Sequence, residues 1–338
     1  MPDLPTTWFV LVGVLLTGYA ILDGFDLGVG AWHLFTKDDK ERRVMLNAIG
    51  PVWDGNEVWL VTGGGALFAA FPEVYATAFS GFYEALMLLL FCLIFRAVSI
   101  EFRGKQPMLW WRRLWDYGFS IGSLVAALLL GVAVGNVAWG LPLDERHEYA
   151  GSFVGMLHPY ALLVGVTTVA LFMMHGSLYL YVKSDGSLQD KARRWARAAL
   201  IGFVVCFVLT TAATFWAVPH MVDRFTTYPA LFVLPVLIVL MLGNIPRELR
   251  LGRGFRAFLS SCIAMAALAG IFGLGMYPNL IFANPVEHSL HIHNAASSTK
   301  TLTVMLTIAA IGMPLVLAYT SFIYWVFRGK VKIDATSY

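Results

Sequence analysis

Four carboxylic acids and one arginine stand in stretches of this sequence that are otherwise apolar. Asp23 and Asp26 lie in Leu22-Asp23-Gly24-Phe25-Asp26-Leu27, Asp54 and Glu57 in Trp53-Asp54-Gly55-Asn56-Glu57-Val58-Trp59, and Arg96 in Ile94-Phe95-Arg96-Ala97. An ionised side chain at the centre of a bilayer costs roughly 2.5–3.5 kcal/mol on insertion scales unless it is paired or hydrated. Each of the five is therefore a candidate for function or for a buried ion pair. The acids come in pairs three residues apart, which places the two members of each pair about 60° apart around a helix. Protonatable groups beside Asn56 and the indole of Trp53, within reach of ordered water, are the chemistry of proton conduction. Arg96 has a plainer reading as a buried ion pair that fixes helix packing. That reading covers the acids less well, because one guanidinium cannot neutralise four of them.

The elements that must position these groups are membrane helices. The chain has 338 residues, of which 58% are hydrophobic and only 13% charged. Its mean hydropathy is +0.69, well outside the range of soluble domains. Apolar runs of roughly 20 residues recur from end to end, each long enough at about 1.5 Å per residue to cross a bilayer. Run length and the Pro, Gly and charge clusters between runs predict helices near 8–34, 52–71, 74–102, 114–139, 157–182, 192–218, 227–243, 256–283 and 301–327. The whole chain, 1–338, reads as one polytopic membrane domain with nine crossings. The first span is expected to be retained, since no basic residue precedes it.

Basic residues orient the spans. Twenty of the 24 Lys and Arg fall in the segments after spans 1, 3, 5, 7 and 9; Arg146, Arg224 and Lys300 fall in the alternate loops, and Arg96 lies within a span. Positively charged loops stay in the cytoplasm, so the N-terminus is expected outside and the C-terminus inside. With that orientation Asp23, Asp26, Asp54, Glu57 and Arg96 all fall in the cytoplasmic half of three consecutive helices. Asp54 and Asp26 are the best candidates for a proton path. Glu57 has a second reading as a group facing the helix start, and Asp23 as one facing the interface. Glu84, about ten residues into span 3, reads either as a structural, hydrogen-bonded carboxyl or as an extension of the path.

Other chemistries find less support. A net charge of +3 with dispersed basic loops does not suggest nucleic acid. Cys92, Cys206 and Cys262 all lie in apolar segments and form neither a disulfide framework nor a zinc pattern. No Gly-rich phosphate loop and no Cys-x-x-Cys pair is present. Haem in a helical bundle needs axial ligands, yet His158 and His175 share one span and no two spans carry matched histidines. His33 reads as interfacial, while His147, His220, His288, His291 and His293 fall in outer loops. The last three have a metal-binding reading, but a solvated loop is the better one. No haem or metal ligated by this chain is expected. Small residues four apart, Gly24 with Gly28 and Gly131 with Gly135, predict close helix approach.

Six runs taken together resemble one family: Asp23-Gly24-Phe25-Asp26-Leu27-Gly28, the segment Trp53 to Trp59, Gly63-Gly64-Gly65-Ala66-Leu67-Phe68-Ala69, Phe71-Pro72 with Tyr75, Ser80-Gly81-Phe82-Tyr83, and Phe95-Arg96. That family is subunit II of cytochrome bd-type quinol oxidase, with its cyanide-insensitive relatives. The likeness is dense over residues 15–120 and looser beyond. It implies an all-α membrane subunit of nine transmembrane helices, arranged as two four-helix bundles plus one peripheral helix, in a bacterial cytoplasmic membrane. It also implies a partner, subunit I, that ligates two haems b and a haem d, holds the site for ubiquinol or menaquinol, and reduces oxygen to water by four electrons. A small single-helix accessory subunit and, in some members, a structural quinone belong to the same picture. On this likeness Asp54 is the carboxylate most closely tied to a cytoplasmic proton path, with Asp26, Asp23, Trp53 and Asn56 supporting it; Glu84 matches no motif of the family. A reading from another class is a secondary transporter or proton-coupled channel using the same acids. Transporters usually carry related halves and interrupted midplane helices, and neither is evident here. A third reading is an assembly subunit in which the acids are packing groups.

Overall fold

The computed structural model describes residues 3–333. Twelve α-helices follow in order: α1 (Leu4–Trp32), α2 (Asp39–Ile49), α3 (Trp53–Ala70), α4 (Pro72–Gly81), α5 (Tyr83–Phe102), α6 (Leu109–Trp139), α7 (Pro159–Lys183), α8 (Gly186–Ala217), α9 (His220–Thr227), α10 (Val233–Arg250), α11 (Gly254–Met276) and α12 (Thr299–Val326). A small antiparallel pair, β1 (Asn279–Ile281) with β2 (Leu290–His291), closes the end opposite the basic loops. Local chemistry sets several boundaries. Asp3 caps α1 by accepting from the Thr6 amide at 3.0 Å, and Pro5 follows in the first turn, where its missing N–H is not needed. Ser298 caps α12 in the same way, through the Thr301 amide.

Eight of these helices, α1, α5, α6, α7, α8, α10, α11 and α12, are long and apolar enough to cross a membrane. The remaining predicted span, 52–71, coincides with α3, an 18-residue helix that length and hydropathy alone do not mark as a crossing. Its first turns carry Asp54, Asn56 and Glu57, which lower its mean hydropathy. Three other expectations are corrected. The helix expected over 74–102 is broken at Phe82 into α4 and α5. The one expected over 227–243 runs on to Arg250, because Arg247, Glu248 and Arg250 continue the helix beyond the apolar run. The one expected over 256–283 stops at Met276, ahead of Pro278 and β1. The amphipathic α2 and the short α9 lie in segments read as loops.

Helix α7 packs against α1, α6, α8 and α11, and α10 pairs with α11. The close approaches rest on the glycines that the sequence points to. A Cβ on Gly28 would meet the backbone carbonyl of Phe172 and the Cα of Gly176; one on Gly24 would meet the Phe172 ring. Gly131 and Gly135 face Gly165 and Ala161 of α7 in the same manner. Backbone cannot yield as a side chain can, so Gly28→Leu should force α1 and α7 apart at a cost of at least about 1–3 kcal/mol. Thermal unfolding of the purified complex checks this; a melting temperature equal to the parent's would contradict it. Helix α12 lies along α1 and α3 with only Leu302 buried. Its far end is clasped to α7, where Lys183 Nζ donates to the Phe327 carbonyl at 2.5 Å and the Val331 amide to the Lys183 carbonyl at 2.8 Å.

The basic end is laced by ion pairs. Asp116 accepts from Arg42, Arg103 and His33, each at 2.6 Å, and Arg103 also reaches Asp39 at 2.7 Å. His33, expected at an interface, is thus fully buried. On α2, Glu41 receives Lys191 Nζ at 2.6 Å and Ser187 at 2.8 Å, together with the hydroxyl of Thr36. Burial pushes the Glu41 carboxyl up, but these hydrogen bonds outweigh it and hold it below the usual glutamate value. A carboxyl depressed in the folded state adds stability above its unfolded pKa and loses it as pH falls through the folded one. Glu41→Gln should therefore cost about 0.5–1 kcal/mol near neutrality, and the difference from the parent should vanish in acid, below the ordinary glutamate range. Melting curves across pH test this; a deficit that persists in acid would contradict it.

Candidate functional site

The apolar-run acids converge on Arg96. From α5, its guanidinium reaches Asp23 of α1 through Nη2 at 2.7 Å and Glu57 of α3 through Nη1, while Asp26 of α1 stands 3.8 Å away. Arg96, Asp23 and Asp26 are fully buried. The three-residue spacing on α1 turns both aspartates to the side that α3 and α5 approach, and Gly24 and Gly28 leave the neighbouring face free for α7. Asp23 is thus not a group at the membrane surface. Glu57 does not merely face its helix start; it pairs with Arg96. Three carboxyls share one guanidinium, so the cluster is either anionic by two charges or holds protons. Four buried polar atoms in and beside it have no partner: Asp23 Oδ2, Asp26 Oδ1, Arg96 Nε and the hydroxyl of Tyr19, one turn before Asp23.

Asn56 joins this cluster to the outside. Its Nδ2 donates to Asp26 Oδ2 at 2.8 Å and to the Leu22 carbonyl at 3.1 Å, and its Oδ1 accepts from the hydroxyl of Tyr324 on α12 at 2.9 Å. Beyond Asn56 a cavity of about 590 Å³ opens between α3 and α12, with Asp54, Asn56, Thr62 and Tyr324 among its polar lining and Val58, Met313 and Val316 among its apolar walls. Asp54 is exposed in the first turn of α3, where the helix dipole favours a carboxylate. Trp53 is half-buried and packs on the main hydrophobic core. Asp54, Asn56, Glu57, Asp23 and Asp26 are therefore brought to one locality. Glu84 is not: it is exposed at the second position of α5, twelve residues and about 18 Å along the helix from Arg96.

Two participants escape sequence reasoning. Tyr324 looks like one more aromatic residue at a span end, where tyrosines are common in any membrane protein. Asp116 follows a basic segment and carries no visible sign that two arginines and a histidine converge on it. The buried His175 uses both ring nitrogens, Nε2 towards the Ile21 carbonyl at 2.9 Å and Nδ1 towards Ser261 at 2.7 Å, and its ring stacks on Phe258. Neither nitrogen is left to ligate iron, so His175 does not fit a haem. His288 donates to the Leu143 carbonyl at 2.8 Å, and His293 faces Asp3 at 3.6 Å. Among the described residues no group of three metal-ligating side chains comes together. A second cavity, of about 400 Å³, is apolar; its lining hydroxyls pair as Thr167 with Thr210 at 2.8 Å and Tyr160 with Thr214 at 2.9 Å.

Comparison with known proteins is consistent along the whole chain. The family profile described as cytochrome bd terminal oxidase subunit II matches residues 4–327. Cytochrome bd-I ubiquinol oxidase subunit 2 of Escherichia coli (strain K12) is 38% identical over 357 residues, covering 96% of this chain and 94% of that protein. Cytochrome bd ubiquinol oxidase subunit 2 of Bacillus subtilis (strain 168) is 35% identical over 335 residues, 98% of each. A chain in the structure of bd oxidase from Geobacillus thermodenitrificans superposes with a TM-score of 0.80 at 17% identity, over 96% of this chain and 98% of that one, which is a likeness of fold.

Proposed function

This chain belongs to the cytochrome bd terminal oxidase subunit II family, and from that premise we propose that it carries protons from the cytoplasm to the oxygen-reducing site of a haem-binding partner. As a subunit of a quinol oxidase it is a membrane protein that works beside a subunit I. On the family reading, the haems b and d, the quinol site and the four-electron reduction of oxygen belong to that partner; the fully buried His175 of this chain has both ring nitrogens engaged. We assign no residue of this chain to a structural quinone. Haems bound in the partner would relay electrons from quinol to oxygen; what this chain supplies is proton movement.

The reading rests on one observation: three carboxyls surround a single guanidinium and are linked through Asn56 to a cavity that opens at Asp54. Asp54 receives protons from water at the cytoplasmic surface. Asp26 takes them from the cavity, and Asp23 and Glu57 share them around Arg96, whose fixed positive charge lets the acids exchange protons without stranding two bare charges in the membrane. Trp53 holds the start of α3 against the core, so that Asp54 keeps its place at the cavity mouth.

Nine crossings in a single membrane domain follow from the same reading, as two four-helix groups with α12 at the periphery. Helix α3 is about 27 Å long and reaches across the hydrocarbon, with Asn56 and Glu57 turned towards the Arg96 cluster and Asp54 at the aqueous end. The distribution of Lys and Arg then puts the C-terminus in the cytoplasm of a bacterium. A transporter reading gains nothing from the structure, since the acids gather at one depth on one side. Asp54→Asn in the assembled oxidase tests the proposal: quinol-driven oxygen consumption should fall by about tenfold while haem content stays at the parental level. Unchanged consumption would favour a purely structural subunit.

A further inference from the structure

We propose that Tyr324 and Asn56 form a hydrogen-bonded plug that closes the α3/α12 cavity off from Asp26, with Tyr324 as the positioning residue that latches it. The inference rests on the proton-path reading but concerns a different step, the admission of water to the buried acids.

The hydrogen-bond directions around Asn56 are fixed by its partners. The Leu22 carbonyl can only accept, so the group facing it at 3.1 Å is the amide NH2, which also supplies the bond to Asp26 at 2.8 Å. The Asn56 carbonyl is therefore the end facing Tyr324, and the Tyr324 hydroxyl must donate to it. Both N–H bonds of the amide and the one O–H bond of the phenol are committed. An amide held in this way offers Asp26 a hydrogen bond but passes on no proton, because its N–H groups do not ionise in the range where carboxyls exchange. On the cavity side Tyr324 presents only lone pairs. While the three-membered chain stands, water in the cavity has no protic link to Asp26 Oδ2, and the other oxygen, Oδ1, lies buried without a partner.

The latch sits on the least buried of the eight long apolar helices. Helix α12 buries only Leu302 and carries Pro314 within its length. Three residues after Tyr324, the Phe327 carbonyl is held by Lys183. Tyr324 thus hangs between a fixed clasp and a loosely packed, proline-containing segment, so a small shift of α12 releases Asn56 without disturbing α1, α3 or α5. Once released, the amide turns aside and water reaches Asp26.

The test is carried out on the whole oxidase with its partner subunit, using dicyclohexylcarbodiimide, an apolar reagent for carboxyl groups, and mass spectrometry of the labelled peptides. Tyr324→Phe keeps the ring and removes only the latching hydroxyl. Labelling of Asp26 should then quicken about fivefold, the factor carried by one neutral hydrogen bond, while labelling of Asp116, buried between Arg42, Arg103 and His33 in the second turn of α6, stays at the parental rate. An Asp26 rate equal to the parent's would overturn the plug. Quickening of Asp26 and Asp116 alike would overturn it too, as general loosening. The labelling is read without turnover, so the plug stands or falls separately from the proton path, which Asp54→Asn addresses.

Discussion

Arg96→Leu is expected to abolish accumulation of the assembled, haem-loaded oxidase in the membrane. The guanidinium is fully buried and is the one cation within reach of Asp23, Asp26 and Glu57 among the described residues. Removing one partner of a buried ion pair costs about 3–5 kcal/mol, because the remaining charge is left uncompensated. Here three carboxyls lose their only counter-charge, against a total stability on the order of 5–15 kcal/mol. The same physics predicts a rescue. Adding Asp23→Asn and Glu57→Gln to the leucine variant leaves polar but neutral groups, and part of the assembled complex should return. Haem absorbance per milligram of membrane protein reads both results. A leucine variant that accumulates like the parent would show that the cluster does not depend on its arginine, and failure of the triple variant would show that Arg96 is needed for more than its charge.

Asp26→Asn is expected to have the largest effect on turnover of any substitution that leaves the complex assembled. The new amide occupies the volume of the carboxyl and can still accept from Asn56, so packing is preserved. It cannot take up a proton. Loss of a positioned proton donor or acceptor typically lowers a rate by about 10²-fold or more, which sets the expected fall in quinol-driven oxygen consumption. Asp54→Asn should be milder, because surface water can in part replace an exposed carboxylate at the mouth of a cavity. The order of the two, Asp26 above Asp54, is itself a prediction. The reverse order would place the bottleneck at the surface and remove the buried cluster from the path.

The helices and the acids were legible for the same reason: a charged side chain is conspicuous in an apolar run. Helices α7 and α12 begin and end within two residues of expectation because Pro159, Lys183 and Arg328 punctuate them, whereas α6 starts earlier and runs through Arg112 and Arg113. Helix α10 runs on past its apolar stretch because charged residues continue a helix as readily as apolar ones beyond the membrane. The break at Phe82 leaves little trace in the run length, since Ser80, Gly81 and Glu84 beside it are a short polar patch and the sequence is apolar again from Ala85. Asp23, Asp26, Glu57 and Arg96 announced themselves, but which carboxyl meets the guanidinium depends on helix rotation and tilt, and these are set by Gly28 against Gly176 over 140 residues away in sequence. Tyr324 was hidden because its role comes from a single hydrogen bond to a residue 268 positions earlier.

Proton uptake during a single turnover tests the central claim most directly. The fully reduced oxidase is mixed with oxygen in weakly buffered solution, with a pH-indicator dye reporting protons and haem absorbance reporting the reaction, for the parent and for Asp26→Asn. The proton path predicts that oxygen binds at the parental rate in both, and that in Asp26→Asn the dye signal and the proton-coupled haem phase slow together by about 10²-fold. Proton uptake at the parental rate and amount in Asp26→Asn would contradict it, and would leave the buried acids of this chain as packing groups.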